Sequence, residues 1–442
     1  MAVTYARRLG LFSGTMSVIG GIIGAGIFLN PAIVAQRVGT PAATIGVWVG
    51  GGLVALIGAF IFGELGQRRP RVGGGYAYLR DAFGPFPAFL YAWALLLIIA
   101  PGAIAAVAVT FGNYGAALFG VSTDLARPAA VLAILLLTLI NCLGVNVGAV
   151  TQNVFTMLKL AAIGLVVIAG LLTLGNPPPP CVDCSALAVP SSGGAMVGAV
   201  AAALVPVLFS YGGWQQTNFI AEELIEPEKD LPRALVLGVV VVVLVYVLAN
   251  AAYLGALGVA GLAASSAPAA DTMEALLGPA GRIVITAGIV FSTFGFLNLV
   301  ILVTPRVFQA MAADGLFFER FARLHPKFRT PVPAIVFLGV WSAVLVYSGK
   351  YGALLDYVVF ADWIFFGLTA LTLVVFRWRD GMAGVRFSVP AFPVAMTIFV
   401  GVAGYVVVGS ILSNPGNAVR GAGLLALGLP VYLYWRSVGL RA

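Results

Sequence analysis

The sequence predicts an all-α integral membrane protein of twelve transmembrane helices, built from a 5+5 inverted repeat and two further helices. Three observations predict this fold class. The 442-residue chain is 61% hydrophobic and only 9% charged, whereas soluble domains carry about 25% charged residues. Its apolar residues form stretches long enough to cross a bilayer as a helix, which takes about 20 residues. The first and sixth stretches are each interrupted by a glycine cluster.

Twelve apolar stretches are long enough to span, and they are separated by short polar segments. An even number of spans places both termini on the same side of the membrane. The predicted spans are residues 11–36, 42–66, 85–118, 128–146, 150–174, 195–221, 233–257, 282–311, 332–348, 354–376, 391–411 and 418–436.

The distribution of positive charge predicts the orientation. Lys and Arg accumulate on cytoplasmic loops of membrane proteins. If the termini are cytoplasmic, most of the 24 Lys and Arg residues face the cytoplasm. The opposite side then holds only Arg37, Arg127, Arg282, Lys350 and Arg420. We therefore expect one transmembrane domain over 1–442, in the lipid bilayer of the cell membrane, and we assign the net charge of +8 to topology rather than to nucleic-acid binding.

The segment "GGIIGAGIF" (20–28) places four glycines inside the first span. Each glycine costs a helix interior about 1 kcal/mol relative to alanine. A phosphate-binding loop is excluded because such loops follow a strand. Close helix packing through the GxxxG pair Gly20 and Gly24 is one explanation. A broken helix is the other, since unwound backbone is tolerated at membrane depth where it lines a protein-enclosed cavity.

A second cluster in the sixth span favours the broken helix. The stretch "VPVLFSYGGWQQTNFIAEE" holds Ser210, Gly212 and Gly213 at mid-depth. Interrupted spans at matching positions of two halves are typical of transporters built from inverted repeats. We therefore predict breaks near 24–26 and 210–213. The predicted repeats are 1–174 and 195–376, and 391–436 holds the eleventh and twelfth spans.

Two broken helices can together bind a small zwitterion. Free N–H groups at the start of a helix attract an anion, here the amides of Gly24, Ala25 and Gly26. The carbonyls that end the preceding half-helix attract a cation. We expect these carbonyls near the following residues: Ile22, Ile23, Phe209 and Ser210. This pattern suits the carboxylate and ammonium that all α-amino acids share.

Ionisable residues within spans are costly and mark functional sites by default. Lys159, in "TQNVFTMLKLAAIGLVV", lies deep in the fifth span and is predicted to be functional, with snorkelling as the alternative. Asp362, in "VVFADWIFFG", lies in the tenth span. Three roles for Asp362 stay open at this point: substrate recognition, a structural hydrogen-bond anchor, or an ordinary polar group near the outer surface.

Two further features have open alternatives. Glu222 and Glu223 either latch onto the arginines at 68–71 as a cytoplasmic gate or belong to solvated helix ends. Cys181 and Cys184, in the outer loop 176–194, form either a local disulfide or a free pair. Zinc is disfavoured because it needs four ligands and the only histidine, His325, lies on the opposite face. We predict neither a metal nor a cofactor.

Four segments resemble the amino acid–polyamine–organocation superfamily, and most closely its L-type amino acid transporters and their bacterial relatives. They are "IGAGIF" (23–28), "GELGQRRPRVGGGYAYLRDAFG" (63–84), "LFSYGGWQQTNFIAEELIEPEKDLPRAL" (208–235) and "RVFQAMAADGLFFERFARLHPKFRTPVPA" (306–334). The resemblance implies a LeuT-type fold. It also implies alternating access through a rocking bundle of spans 1, 2, 6 and 7.

The resemblance also implies roles for individual residues. Lys159 stands where sodium-coupled relatives hold a sodium ion, and its ammonium is expected to bridge the first span near Gly21 to Ser292 and Thr293 of the eighth. Phe209 matches the aromatic residue that caps the substrate. Tyr211 and Gly212 follow in the substrate-binding motif. Trp214 of the same motif is a specificity or gate candidate.

The implied function is sodium-independent exchange of neutral L-amino acids, with proton coupling left open. Two positions depart from the family pattern. Ala25 replaces a common serine, and Asp362 replaces an uncharged residue, so a carrier for cationic amino acids or amines is the rival. The loop "GVSTDLAR" (120–127) lacks the cysteine that links animal members to a glycoprotein, so no disulfide-linked accessory subunit is implied. A membrane enzyme, a nutrient sensor and a channel are disfavoured.

Overall fold

The structure is a computed structural model and describes residues 4–172, 190, 192–348, 351–413 and 415–439. Within these ranges the regular elements are helices, and one isolated β-type bridge joins Leu9 to Leu224. Ten helices there are long and apolar enough to cross a membrane, or eleven when one bent pair counts as a span. The predicted all-α membrane fold is therefore confirmed.

Each predicted span coincides with a helix or a helix pair, and we number the spans in chain order. The first span comprises Leu11–Ile22 and Gly26–Val38, and the second is Pro41–Arg68. The third is Pro85–Phe119, which includes a π-helical turn, Leu95–Ile99. The fourth, fifth and sixth spans are Ala126–Cys142, Val145–Leu171 and Gly193–Ser210 with the 3₁₀-helix Trp214–Glu223.

The second half continues in the same way. The seventh to ninth spans are Pro227–Ala264, Pro268–Val303 with Pro305–Ala313, and Val332–Tyr347. The tenth to twelfth are Tyr351–Asp380, Phe392–Ser413, and Pro415–Ala426 with Gly428–Gly439. Three short helices lie between spans: Gly75–Phe83, the 3₁₀ turn Thr123–Leu125, and Glu319–Ala322. The repeat boundaries stay a prediction.

Both predicted breaks are confirmed. The two halves of the first span meet at an angle of 44° across residues 23–25. In the sixth span the α-helix ends at Ser210, and a 3₁₀-helix begins at Trp214. Gly213 between them has a φ of 107°, a left-handed conformation that glycine adopts without steric cost.

Two boundaries differ from the sequence prediction. The turn between the fourth and fifth spans lies at Gly144, with φ 126°, so the predicted loop around 147–149 is helical. The outer segment 258–281 was predicted as a loop, but helix continues through most of it to Ala264 and again from Pro268. Gly258 and Gly278 have positive φ values. They kink the chain without ending the helical run, which periodicity alone cannot distinguish from a loop.

The broken first span lies at the centre of the bundle. It packs against the fifth, sixth, seventh and eighth spans. The seventh span packs closely on the second, and the eighth on the fifth and third. The tenth span contacts the third and eleventh. This arrangement encloses both breaks in protein, which is the condition for unwound backbone at membrane depth.

Candidate functional site

A cavity of about 360 Å³ lies between the two breaks and the third, eighth and tenth spans. Its size falls within the ~300–1,000 Å³ of small-molecule sites. Most of its lining is aliphatic or aromatic, as such sites usually are. The polar side chains in the described lining are Asn30, Tyr91, Thr110, Ser210, Gln215, Gln216, Thr304 and Asp362.

Most of the predicted substrate residues line this cavity. The cavity lining includes Ile22, Gly24, Ala25, Gly26, Phe209, Ser210 and Gly212, and also Asp362. Ile23 and Tyr211 are buried outside the described lining. Tyr211 instead packs edge-on against Trp48, with ring centroids 5.9 Å apart. Tyr211 still has helical backbone angles and its amide donates to the carbonyl of Val207, so its ring continues the face of Val207, which packs against Gly51 of the second span.

Glycine allows the two breaks to touch. A Cβ atom on Gly21 would lie 2.8 Å from the carbonyl oxygen of Gly213, and one on Gly26 would lie 2.6 Å from Ser210 Oγ. A Cβ atom on Gly20 would lie 2.7 Å from Thr156 Oγ1 of the fifth span. Both explanations of "GGIIGAGIF" therefore hold, because the glycines serve close packing and the chain is also unwound.

Lys159 is fully buried and its ammonium donates to the first break. Lys159 Nζ lies 3.1 Å from the carbonyl oxygen of Gly20 and 2.7 Å from that of Ile23. The salt bridges of the described residues do not include Lys159. Backbone carbonyls freed by the break therefore replace an acidic partner.

The expected bridge from Lys159 to the eighth span is indirect. Ser292 Oγ donates to the carbonyls of Ile23 and Gly24, at 3.4 and 3.3 Å, so Ser292 and Lys159 meet at the oxygen of Ile23. Thr293 differs from the expectation, because its hydroxyl donates to the carbonyl of Ile289 in its own helix at 2.8 Å. A threonine hydroxyl within a helix often bonds the preceding turn in this way.

Sequence reasoning missed Tyr246 of the seventh span. Its hydroxyl lies 3.1 Å from the carbonyl oxygen of Ile22 and 3.2 Å from that of Ser210. Tyr246 therefore connects the last carbonyls before both breaks. Both carbonyls are predicted to lie near a substrate ammonium. Because the Tyr246 hydroxyl has a single hydrogen, it donates to one of them at a time or is shared between them, and each carbonyl keeps lone pairs for another donor.

The amides at the first break are only partly available. The amide of Gly24 donates to the carbonyl of Ile22 at 2.9 Å, so it is occupied. The amides of Ala25 and Gly26 begin the second half-helix and have no hydrogen-bond partner among the described residues. We therefore narrow the predicted carboxylate site to Ala25 and Gly26.

The second break is held mainly by its own residues. Gln215 Oε1 accepts from the amide of Gly213 at 3.1 Å, and Asn218 Nδ2 donates to the Gln215 carbonyl at 3.1 Å. Asn30 of the first span donates to Ser210 Oγ at 2.7 Å. Gln216 Oε1 is buried without a partner in the described part of the chain and belongs to the cavity lining.

Trp214 lies outside the described cavity lining. Its ring packs edge-on against Phe62 of the second span at 4.9 Å and near Phe366 of the tenth at 6.0 Å. Phe209, by contrast, lines the cavity and is 40% exposed, so its ring has room to move. The roles of both residues as gate and cap stay predictions.

Neither of the two alternatives left open for Glu222 and Glu223 describes Glu223, which is buried and has a partner other than the arginines at 68–71. Glu223 pairs with Arg306 of the eighth span at 2.8 Å, with both side chains fully buried. Glu222 Oε1 accepts from the amide of Val72 at 3.1 Å. The arginines have nearer acids, since Glu64 pairs with Arg68 four residues later in the same helix.

The N-terminal segment covers this ion pair. The amides of Arg8 and Leu9 donate to the Glu223 carbonyl at 2.9 and 3.0 Å. The ring of Tyr5 lies 6.0 Å from the Arg306 guanidinium. Burial raises the pKa of Tyr5 well above its ordinary value, so this residue stays neutral beside the pair.

Asp362 lines the cavity from the tenth span. No hydrogen bond or ion pair joins its carboxylate to another side chain in the described ranges. Tyr91 of the third span lies in the same lining and is close enough to interact with it electrostatically. Cys181 and Cys184 lie outside the described residues.

Comparisons with known proteins identify the family. The profile of the family described as amino acid permease matches residues 9–427. The chain is 33% identical over 414 residues to the b(0,+)-type amino acid transporter 1 of Homo sapiens, covering 92% of this chain and 83% of the relative. It is 32% identical over 449 residues to the large neutral amino acids transporter small subunit 2 of Homo sapiens, covering 98% and 82%. The chain therefore belongs to the amino acid permease family of the amino acid–polyamine–organocation superfamily and is an amino acid transporter rather than an enzyme.

Proposed function

We propose that this chain is a sodium-independent carrier of L-amino acids that works by alternating access in the cell membrane. The observation that carries the proposal is the ammonium of Lys159, which bonds to the carbonyls of Gly20 and Ile23 at the first break. Carbonyls freed by a broken helix are the groups that coordinate sodium in coupled transporters. A built-in cation at these oxygens removes the need for a bound ion.

The α-carboxylate of the substrate binds the amides of Ala25 and Gly26, which begin a helix and point into the cavity region. The macrodipole of Gly26–Val38 adds attraction for an anion. The α-ammonium binds near the carbonyls that end Gly193–Ser210, where Tyr246 leaves lone pairs available. Phe209 covers the substrate from the same half-helix.

Neutral L-amino acids taken up by exchange are the first substrate class. One relative is named as a transporter of large neutral amino acids, and the cavity lining is mainly apolar. Cationic amino acids or amines are the second candidate, favoured by the unpaired Asp362 carboxylate in the lining. The bundle of spans 1, 2, 6 and 7 supplies the alternating movement.

We also propose that both termini face the cytoplasm, because the positively charged segments then follow the usual bias. No disulfide-linked accessory subunit is needed, since the loop 120–127 contains no cysteine. Cysteine labelling of the N-terminal segment from either side of sealed vesicles tests the orientation.

The test of function is uptake of a radiolabelled amino-acid panel into proteoliposomes. We expect equal initial rates in sodium and choline buffers, and faster uptake when the vesicles contain unlabelled substrate. A several-fold stimulation by sodium would contradict the role of Lys159. Equal uptake rates with and without internal substrate would contradict exchange and would leave sodium independence in place.

A further inference from the structure

The half-buried Asp362 differs from Glu64 and Glu223, the fully buried acids of the described helices, because it has no cationic partner there. Glu64 of the second span pairs with Arg68 and Arg377, and Glu223 pairs with Arg306. Asp362 instead lines the cavity, and the described lining contains no Lys, Arg or His. The cavity therefore presents a single carboxylate.

An ionised carboxylate in apolar surroundings is costly unless a positive charge or a proton neutralises it. Inside a membrane protein such a group faces a pathway or a partner. The aromatic rings of Trp363 and Phe366 adjoin Asp362 in the lining and keep its surroundings largely apolar. Because the described lining contains no cationic side chain, the positive charge that neutralises this carboxylate has to enter with the transported substrate.

We propose that Asp362 makes the cavity accept one positive charge per cycle. That charge is either the cationic side chain of the substrate or a proton that accompanies a neutral substrate. The inference rests on the proposed function, because it assumes that the breaks hold the α-carboxylate and α-ammonium. Asp362 then contacts the side chain of the substrate and determines whether cationic or neutral amino acids are accepted.

The charge balance is the same for both substrate classes. With a neutral amino acid, a proton from the water on the entry side binds the Asp362 carboxylate, and both leave on the other side. With a cationic amino acid, the carboxylate stays ionised and pairs with the side-chain cation, so no proton is carried. Each substrate crosses with a net charge of plus one, and the carboxylate is regenerated.

Few other titratable groups can share this proton. Tyr91 of the third span faces Asp362 within the lining. Other ionisable groups on helices packed against the tenth span lie outside the described lining and include Tyr78, Tyr114 and Tyr405. Of the charged ones, Glu64 pairs with Arg377, Arg80 pairs with Asp314, and the exposed Arg420 of the twelfth span lies outside the described lining. Lys159 contacts the first break from the fifth span and is not part of the lining.

The experiment compares leucine and lysine uptake between about pH 5.5 and pH 8 into proteoliposomes preloaded with equal amounts of unlabelled leucine and lysine, with a pH-sensitive dye trapped inside. Leucine that enters with a proton in exchange for lysine leaves that proton in the lumen, whereas exchange of lysine for lysine moves none. In the wild type we expect leucine uptake to rise as the external pH falls and to acidify the lumen. Lysine uptake should not acidify the lumen, and it should compete less well at low pH. In Asp362→Asn the ratio of lysine to leucine uptake should fall about tenfold or more, since the cationic side chain of lysine loses its charged hydrogen-bond partner while leucine loses none.

The Asp362→Asn variant should also transport leucine without acidifying the lumen, at a rate that no longer depends on pH. Asp124→Asn is the matched control, because Asp124 lies in the exposed 3₁₀ turn of the loop 120–127. Monodispersity and thermal unfolding in detergent check that both variants fold. Unchanged lysine-to-leucine ratios and an unchanged proton signal in Asp362→Asn would overturn the inference.

The two proposals fail differently. A wild type that takes up only neutral amino acids, with no proton movement, overturns the role of Asp362 and leaves sodium-independent amino-acid transport standing. Sodium-stimulated uptake with the expected lysine and proton behaviour overturns the role of Lys159 alone. A wild type that takes up no amino acid in either buffer overturns both.

Discussion

The two broken helices meet at one cavity but are held in different ways. The first break receives donors from three other spans, through Lys159, Tyr246 and Ser292. The second break is held chiefly by Gln215 and Asn218 of its own segment. The first break is therefore fixed by side chains of other spans. At the second break a side chain of the same segment caps the broken backbone, and Tyr246 and Asn30 add external bonds only at Ser210.

The continuation after each break differs as well. The first span resumes as the α-helix Gly26–Val38, whose amides at Ala25 and Gly26 are unpaired in the described structure. The sixth resumes as the 3₁₀-helix Trp214–Glu223, which has poorer hydrogen-bond geometry than an α-helix. We infer that the first break recognises the substrate backbone. The second, with Phe209 beside it, adjusts when the carrier changes state.

The largest effect is expected where the two breaks touch. Gly213→Ala places a Cβ on a residue with φ 107°, and the Cβ would collide with the backbone of Gly21. Backbone strain and overpacking together cost about 2–6 kcal/mol, so transport should fall at least about thirtyfold. Initial uptake rates of leucine at equal reconstituted protein measure this.

The control is Gly198→Ala in the same span, because no atom lies within 4 Å of the added Cβ. This variant should transport like the wild type. Near-normal uptake by Gly213→Ala would mean that the two breaks separate without cost, and that their contact does not define the site.

The second-largest effect is expected at the first break, where Lys159 donates to the freed carbonyls. Lys159→Ala leaves the carbonyl of Gly20 without its donor and the carbonyl of Ile23 with only the distant hydroxyl of Ser292, and each unpaired buried group costs about 1–3 kcal/mol. A group that interacts differently in two states shifts the balance between them. We therefore expect turnover to fall about tenfold or more, while substrate affinity changes less than about threefold.

Calorimetry gives the affinity and exchange assays give the turnover. Lys229→Ala is the control, because this lysine is exposed and pairs only with Glu226 three residues earlier. Equal losses of affinity and turnover in Lys159→Ala would place Lys159 in substrate binding. Wild-type behaviour in both measurements would leave it a packing residue.

The breaks and the deep lysine could be predicted because each violates a local rule. Glycine clusters destabilise a helix, and a charge at mid-membrane loses its hydration. Both are therefore rare in ordinary spans and can be recognised in a single sequence. The partner of Glu223 could not be predicted, since Arg306 lies 83 residues away and several nearer arginines were equally plausible by charge. Pairing across spans depends on three-dimensional packing.

Tyr246 escaped prediction for a related reason. It lies in the run "VVVVVLVYVLAN", where an aromatic residue looks like part of a lipid-facing or packed helix. Its hydroxyl can reach the carbonyls of Ile22 and Ser210 only because the seventh span packs beside both breaks. Tyr211 is assigned to the site because it follows the motif, but it lies on the helix face of Val207, four residues earlier, and its ring therefore packs towards Trp48.

The smallest effect tests the one bond that the two breaks share. Tyr246→Phe removes the hydroxyl that lies between the carbonyls of Ile22 and Ser210, and a neutral hydrogen bond contributes about 0.5–1.5 kcal/mol net. Transport efficiency should therefore fall roughly fivefold. Tyr253→Phe in the same helix is the matched control, because its buried hydroxyl has no partner among the described residues and its loss should be neutral. Both variants replace a tyrosine ring by a phenylalanine ring. The ratio of their kcat/KM values therefore measures the contribution of the hydrogen bond that only Tyr246 makes. If both variants behave alike, the two breaks are coupled by their glycine contacts and by the bond from Asn30 to Ser210, and the second break moves independently of the seventh span.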